Sequence, residues 1–342
     1  MEPIRKLYKK STGSSHMDQI AKSAMFEALE RVSDKKVLVL GDAIVDEYVY
    51  CTEAGTSLSS PGTPKLRCER KEVYRGGAGN VAENLLALGA RVSLITLLGD
   101  DLARSHYCAW NNPNLHLYPI IEKRRKTNVK TRYCVGDRKV LAVEDLDVRD
   151  IREDSEQAVL DAMQGENGKS DAVIFQDQCH GFFSPNLISR LRSVLGEDKR
   201  KVLVNSQTYL LGPRHRKYAG FGTITMNLKE ARAIDETFDG SEGNKLVNAL
   251  DSDVCVTLGE KGATLYRGNQ KYNAPGMPIK PIDTCGAGDA FLAAFSVFDF
   301  ETNPLMSLQM ANIWAGLSAQ KMGTSVPNIR ELENYIERAT LQ

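Results

Sequence analysis

"DTCGAGDAF", Asp283 to Phe291, sets three small residues, Gly286, Ala287 and Gly288, directly before a carboxylate and an apolar run. A glycine-rich turn entering a helix leaves backbone N–H groups that the helix cannot satisfy, and the helix dipole favours an anion there. A carboxylate at the same place, Asp289, opposes an anion unless it is there to take a proton. The bland alternative is a capped helix with an acid in its first turn. Spacing alone leaves both open.

A second glycine cluster lies much earlier, in "RGGAGNVAENLLALGARVSLITLLGDD", Arg75 to Asp101. Gly76, Gly77 and Gly79 permit close backbone approach, and Asn80 offers both a donor and an acceptor. On its own such a cluster reads equally well as tight packing of a helix on a strand.

Around these stretches, short β-branched runs alternate with helical patterns. Lys36–Asp42, Val92–Asp100, Asp171–Asp177, Lys201–Ser206, Thr223–Asn227 and Asp253–Gly259 are compact apolar runs. Runs apolar throughout suit strands covered on both faces, hence a mainly parallel sheet with crossover helices. Helical stripes fall at Ala78–Leu88, Pro185–Leu195 and Leu305–Met322. Several strands end in Asp, Asn or Gly, at the carboxyl edge where open α/β sheets bind ligands. Two segments, 46–74 and 127–143, are rich in Thr, Tyr and Val with turn residues between. They predict antiparallel hairpins forming one small projecting β-sheet.

Taken together, the two glycine stretches resemble the two signatures of the ribokinase-like (PfkB) carbohydrate kinase family. The first runs from Gly76-Gly77-Ala78-Gly79-Asn80 through Ala82 and Gly89 to Gly99, and the second is Asp283 to Asp289. Both match without a gap and in the family's order, and the resemblance covers roughly residues 30–335. It implies an α/β fold: a doubly wound, mainly parallel sheet flanked by helices, with the small β-sheet as a lid. The kinase domain would occupy 18–342. Residues 1–17, with "KKSTGSSHM", read as a flexible arm or a vector-derived segment.

The resemblance also assigns roles. Asp289 would be the catalytic base, and the backbone amides of Gly286, Ala287 and Gly288 would hold developing charge on the phosphoryl group. Asp46, in "GDAIVDEY", would bind sugar hydroxyls, with Gly76, Gly77, Asn80, Arg132 and Asp177 on the same sugar side. Asn227 and Glu230, the N-x-x-E of "MNLKEA", would organise Mg²⁺ through water. Thr257, Gly259 and Gly262 would lie by the ATP phosphates or ribose, and Asn312 would face adenine. Some relatives hold a monovalent cation near the position of Asp283. The lid would close over the sugar and form a homodimer contact.

Within the family, "VLVLGDAIVDEYVY", "TNVKTRY" and "QKMGTSVPNIRELEN" are similar to kinases of D-glycero-D-manno-heptose phosphates, which serve nucleotide-sugar precursor synthesis. That subgroup's D-Y-x-K-G is here Asp177-Gln178-Cys179-His180-Gly181, and its D-P-K is Asn205-Ser206-Gln207. With both lysines replaced, the substrate is either an unphosphorylated sugar or a sugar phosphate held chiefly by Arg132, Arg214 or Arg216, the second being favoured by the retained lid and tail. His180 is a part-time cation near neutral pH. The alternatives are a nucleoside kinase on the same scaffold, using Tyr48 and Tyr50 as a slot for the base, and a catalytically silent binding protein.

Composition bounds the rest. The 342 residues carry no formal net charge, which argues against nucleic acid or an acidic membrane surface as partner. The basic runs Lys123–Lys126 and Arg214–Lys217 are as a rule solvated faces. Seven cysteines without a C-x-x-C pair predict reduced thiols and a cytoplasmic protein, and the five histidines make no metal-binding pattern.

Overall fold

The computed structural model describes residues 15–166, 168–207 and 214–338. Helix α1 (Ser15–Glu30) leads into a long strand β1 (Lys36–Thr56), then β2 (Pro64–Gly77), α2 (Ala78–Ala87) and β3 (Arg91–Gly99). Next come α3 (Ser105–Cys108), β4 (Leu115–Glu122), β5 (Asn128–Val135), β6 (Arg138–Asp145) and α4 (Glu153–Glu166). The order continues β7 (Ala172–Asp177), α5 (Pro185–Leu195), β8 (Val202–Ser206), β9 (Thr223–Asn227), α6 (Leu228–Ile234) and α7 (Asn244–Leu250). The chain closes with β10 (Asp253–Thr257), β11 (Ala263–Arg267), β12 (Gln270–Ala274), α8 (Ala287–Val297), α9 (Pro304–Ala319) and α10 (Ile329–Arg338). Of the arm read over residues 1–17, only 15–17 are described, and they open α1.

The main sheet runs β12-β11-β10-β9-β8-β7-β1-β3-β4. It is parallel from β10 to β4, with β11 and β12 antiparallel at one edge. Alternation along β1 explains why its apolar run is continuous. Val37 and Val39 enter the core layer formed with α1, α2, α8, α9 and α10, while Leu38 and Leu40 enter the layer formed with α4 to α7. Each fully buried side chain of this size stabilises by about 1.5–3 kcal/mol. Helix α5 shows how local sequence sets its ends. Ser184 accepts the N–H of Leu187 at 2.9 Å, Pro185 occupies the first turn, and Gly196 leaves the helix with φ +51°.

Only the first seven residues of β1 belong to the main sheet. From Ala43 the same strand continues into a second sheet, pairing antiparallel with β2 and parallel with β5, which pairs antiparallel with β6. The segments read as antiparallel hairpins therefore contain one parallel pairing. It arises because β5 enters beside β1 after the excursion through β3 and β4.

Candidate active site

The N-termini of α2 and α8 meet at the carboxyl edge of the main sheet. Gly286, left-handed at φ +80°, turns the chain into α8, and a Cβ there would stand 2.7 Å from Asn80 Nδ2. Only glycine lets the two motifs touch. Asn80 Nδ2 donates to Asp289 Oδ2 at 2.8 Å, and Gln176 Nε2 donates to Oδ1 at 2.7 Å. Asn84, one turn along α2, donates to the backbone oxygen of Asn80 (2.8 Å) and to its Oδ1 (3.1 Å), and Trp314 Nε1 donates to Asn84 Oδ1 (2.8 Å). A buried relay thus orients Asn80 from α9.

Asp289 is half-buried, with part of its surface reached by solvent and its carboxyl closely surrounded by protein. Burial pushes its carboxyl up to about 7, and the nearby charge of Asp46 adds to the rise. The amides of Asn80 and Gln176 and the charge of Lys130 oppose it. A carboxyl balanced near neutrality can give or take a proton at working pH. In the turn itself, the N–H of Ala287 is directed to Thr284 O (3.2 Å), whereas those of Gly286 and Gly288 have no partner among the described residues.

Asp46 lies on β1 where that strand enters the second sheet. Gly76, diagonally across on β2, is there for space: a Cβ would sit 2.2 Å from Asp46 Oδ2. Arg132 Nη1 is hydrogen-bonded to Asp46 Oδ1, so its charge is matched within the protein rather than free for a substrate phosphate. Tyr107, fully buried, ties this corner together, its hydroxyl 3.0 Å from Ile44 O and 2.9 Å from Gly76 O. Lys139 on β6 reaches Asp283 Oδ2 at 2.7 Å.

Several of the expected site residues are engaged by the chain itself. Asp177, read on the sugar side, is 1% exposed and closed by protein: Cys179 N donates to Oδ1 (2.9 Å), and Ser206 Oγ, Tyr218 OH and Lys217 Nζ (3.0, 2.9 and 2.8 Å) reach Oδ2. Its carboxylate is a structural hub, with Lys217 as counter-charge. The neighbouring Asp42 accepts the N–H groups of Gln178, His180 and Phe182, and burial raises its carboxyl to about 6. His180 is driven down to about 4 by burial and by Lys130, so it is neutral rather than a part-time cation. Arg214 is half-buried and Arg216 exposed. Arg125, within a run read as a solvated face, is buried, donating to Glu122 Oε2 (2.8 Å) and to the carbonyls of Asp147, Arg149 and Asp150.

On the other side of α8, Asn227 and Glu230 form a reciprocal cap at the start of α6, Asn227 N donating to Glu230 Oε2 (2.8 Å) and Glu230 N to Asn227 Oδ1 (3.0 Å). Thr257 stands in register beside Asn227. Gly259 and Gly262 close the following turn through Gly262 N to Gly259 O (2.9 Å). Asn312 donates to Ala274 O and Pro275 O, both at 3.0 Å, so its amide hydrogens brace the backbone after β12. Sequence reasoning does not single out Gln176, Tyr107, Asn84 or Lys139, and it reads Lys217 only as part of a solvated basic run. Their partners lie far off in the chain and are brought close only by the sheet order.

Residues 34–331 match the profile described as pfkB family carbohydrate kinase. The chain belongs to that family. This carbohydrate kinase is 30% identical over 322 residues to the bifunctional protein HldE of Trichlorobacter lovleyi, an alignment taking in 90% of this chain and 64% of that one. The kinase thus spans less than two thirds of that relative's length. Its fold is similar to that of Arabidopsis thaliana ribokinase complexed with ribose and ATP (TM-score 0.65, 17% identity, 89% of this chain and 99% of that one). It is likewise similar to Escherichia coli phosphofructokinase-2 in complex with potassium (TM-score 0.68, 16% identity, 90% and 99%). No helix among the described residues is long and apolar enough to cross a membrane.

Proposed function

We propose that this kinase transfers the γ-phosphoryl group of ATP to a hydroxyl of a sugar phosphate of the heptose 7-phosphate class. The observation that carries the reading is the Asp289 carboxyl, held by Asn80 and Gln176 at the N-terminus of α8 with its pKa near 7. In its ionised form it takes the proton of the attacking hydroxyl, and the N–H groups of Gly286 and Gly288 receive the charge that develops on the phosphoryl oxygens. Asp46, fixed by Arg132, accepts hydrogen bonds from sugar hydroxyls. Lys130, loosely paired with Glu144 at 3.7 Å and with its charge felt at both Asp289 and His180, adds positive charge on the sugar side.

ATP lies along the edge marked by Asn227, Thr257, Gly259, Gly262 and Asn312. Mg²⁺ would come with the nucleotide phosphates; among the described residues there is no group of three or more His, Cys, Asp or Glu that could hold a metal ion. One carboxylate, Glu230, beside one amide, Asn227, suits a hydrated Mg²⁺ held through water; the ion would neutralise phosphate charge. The heptose-phosphate assignment is supported by the HldE relatives and by the retained "TNVKTRY" strand.

The nucleoside alternative fares worse. The Tyr50 ring is covered by the Arg70 guanidinium at 3.6 Å, and Tyr48 is buried edge-on to Tyr74. ATP consumption measured across heptose phosphates, hexose phosphates, free sugars and nucleosides tests the proposal. Highest kcat/KM on a heptose phosphate supports it. Preference for a nucleoside, or no turnover on any of them, refutes it.

A further inference from the structure

The turn into α8 is gripped from outside by a cation. Lys139, on β6, places Nζ 2.7 Å from Asp283 Oδ2 and 2.8 Å from Oδ1. The same carboxylate accepts Cys285 N at Oδ1 (3.0 Å) and Gly323 N at Oδ2 (3.1 Å). Each oxygen therefore has one backbone N–H and a share of one ammonium. The Asp283 side chain is only 8% exposed, so its charge is neutralised by the chain itself. Lys139 Nζ also lies 5.5 Å from the centre of the Tyr48 ring.

A free monovalent cation beside Asp283, such as some relatives hold, does not fit these residues. The carboxylate already carries a contacting positive charge, and a second cation at similar range would meet repulsion in a poorly solvated place. We infer that Lys139 is the resident cation of this turn. Its tethered ammonium does what a free ion would do, and it joins the tip of the second sheet to the loop carrying Gly286 and Gly288. An ammonium is a compact point charge with three donors, and its tether keeps its local concentration independent of the salt outside. The inference rests on reading that loop as the anion cradle.

Removing the ammonium leaves a largely buried carboxylate without a counter-charge, still held by two backbone N–H groups, and such a group recruits a small cation. The test compares potassium chloride with tetramethylammonium chloride at equal ionic strength, tetramethylammonium being too bulky to enter. For the unaltered protein we expect the same melting temperature in both salts, and phosphoryl-transfer rates within about twofold. Lys139→Met should melt lower in tetramethylammonium, and kcat/KM should fall about tenfold or more. Added potassium should restore both, with saturation. The inference is overturned if the unaltered protein is stabilised or strongly activated by potassium. It is equally overturned if Lys139→Met matches the unaltered protein in tetramethylammonium, or is impaired and indifferent to potassium. The melting measurements need no sugar, so they decide the role of Lys139 even if no sugar is turned over, an outcome that would count against the proposed function alone.

Discussion

Replacing Asp289 by asparagine should move stability and turnover in opposite directions. In the folded protein the carboxyl titrates at about 7, against an ordinary value of 3.8. The folded state therefore holds this proton more tightly than the unfolded chain does. The resulting stability is fully present below about pH 4 and is lost as pH rises through about 7. Three pH units at about 1.4 kcal/mol each set an upper bound on the order of 4 kcal/mol by pH 8. Water on the cleft side screens the group, so the expected penalty is about 1–3 kcal/mol. Asparagine keeps the shape and carries no charge. The new amide also needs an acceptor, which Gln176 can supply by turning its own amide, although this moves Nε2 into the buried position where Oε1 has no partner. Urea unfolding at pH 8 should thus show Asp289→Asn more stable than the parent by about 1–3 kcal/mol, with the difference vanishing near pH 4. Meanwhile kcat should drop by about 10²–10⁴, with ATP affinity by calorimetry nearly unchanged. Equal stability at pH 8 would refute the claim that burial strains this carboxylate, and a near-parental rate would refute its role as base.

Gln176→Leu removes a donor that favours the ionised carboxylate, so the acid limb of the kcat/KM profile should move up from about 7 by about one unit; an unmoved limb removes Gln176 from the site. Gly286→Ala places a methyl 2.7 Å from Asn80 Nδ2 at φ +80°, and we expect about 1–3 kcal/mol of destabilisation together with a lower kcat, read by denaturant unfolding and initial rates. Asp177→Asn should destabilise by about 3 kcal/mol while leaving the sugar KM of the folded protein unchanged; a raised KM would return Asp177 to the sugar site. The second sheet exposes Val73 (37%), Val143 (49%) and Leu141 (54%) on its face away from Asp46, and we propose that a second copy covers them. Light scattering at micromolar concentration should give a dimer that Leu141→Asp dissociates, and a monomeric parent would refute it.

The parallel strands were legible because a strand covered on both faces must be apolar throughout, as in "KVLVL" and "AVIF". Strand β4 was not: "LHLYPIIE" at the sheet edge mixes exposed and half-buried positions around Pro119. Helix α4 was missed for a similar reason, since its apolar positions are few and its first turn is acidic. At the site, Asp289, Asn80 and the glycines stood out because a backbone held that close permits few residue types. Gln176 and Asp177 show where single-strand reading stops. Adjacent strand residues point to opposite faces, so Ile174 and Gln176 look toward α8 while Phe175 and Asp177 look toward Tyr218. The chain alone does not say which face opens on the cleft, and the carboxylate was the more conspicuous choice.

Strand β2 ends at Gly77 and α2 begins at Ala78, with no residue of loop between them. The second sheet is therefore joined to the helix that carries Asn80 as a lever is joined to its axle. Any swing of the sheet away from the cleft draws on the first turn of α2 and, through it, on the 2.8 Å bond from Asn80 to Asp289. With Asp289 as the proposed base, a site built this way would be slack when ajar and taut when shut, and the strength of that base would follow the displacement of the sheet.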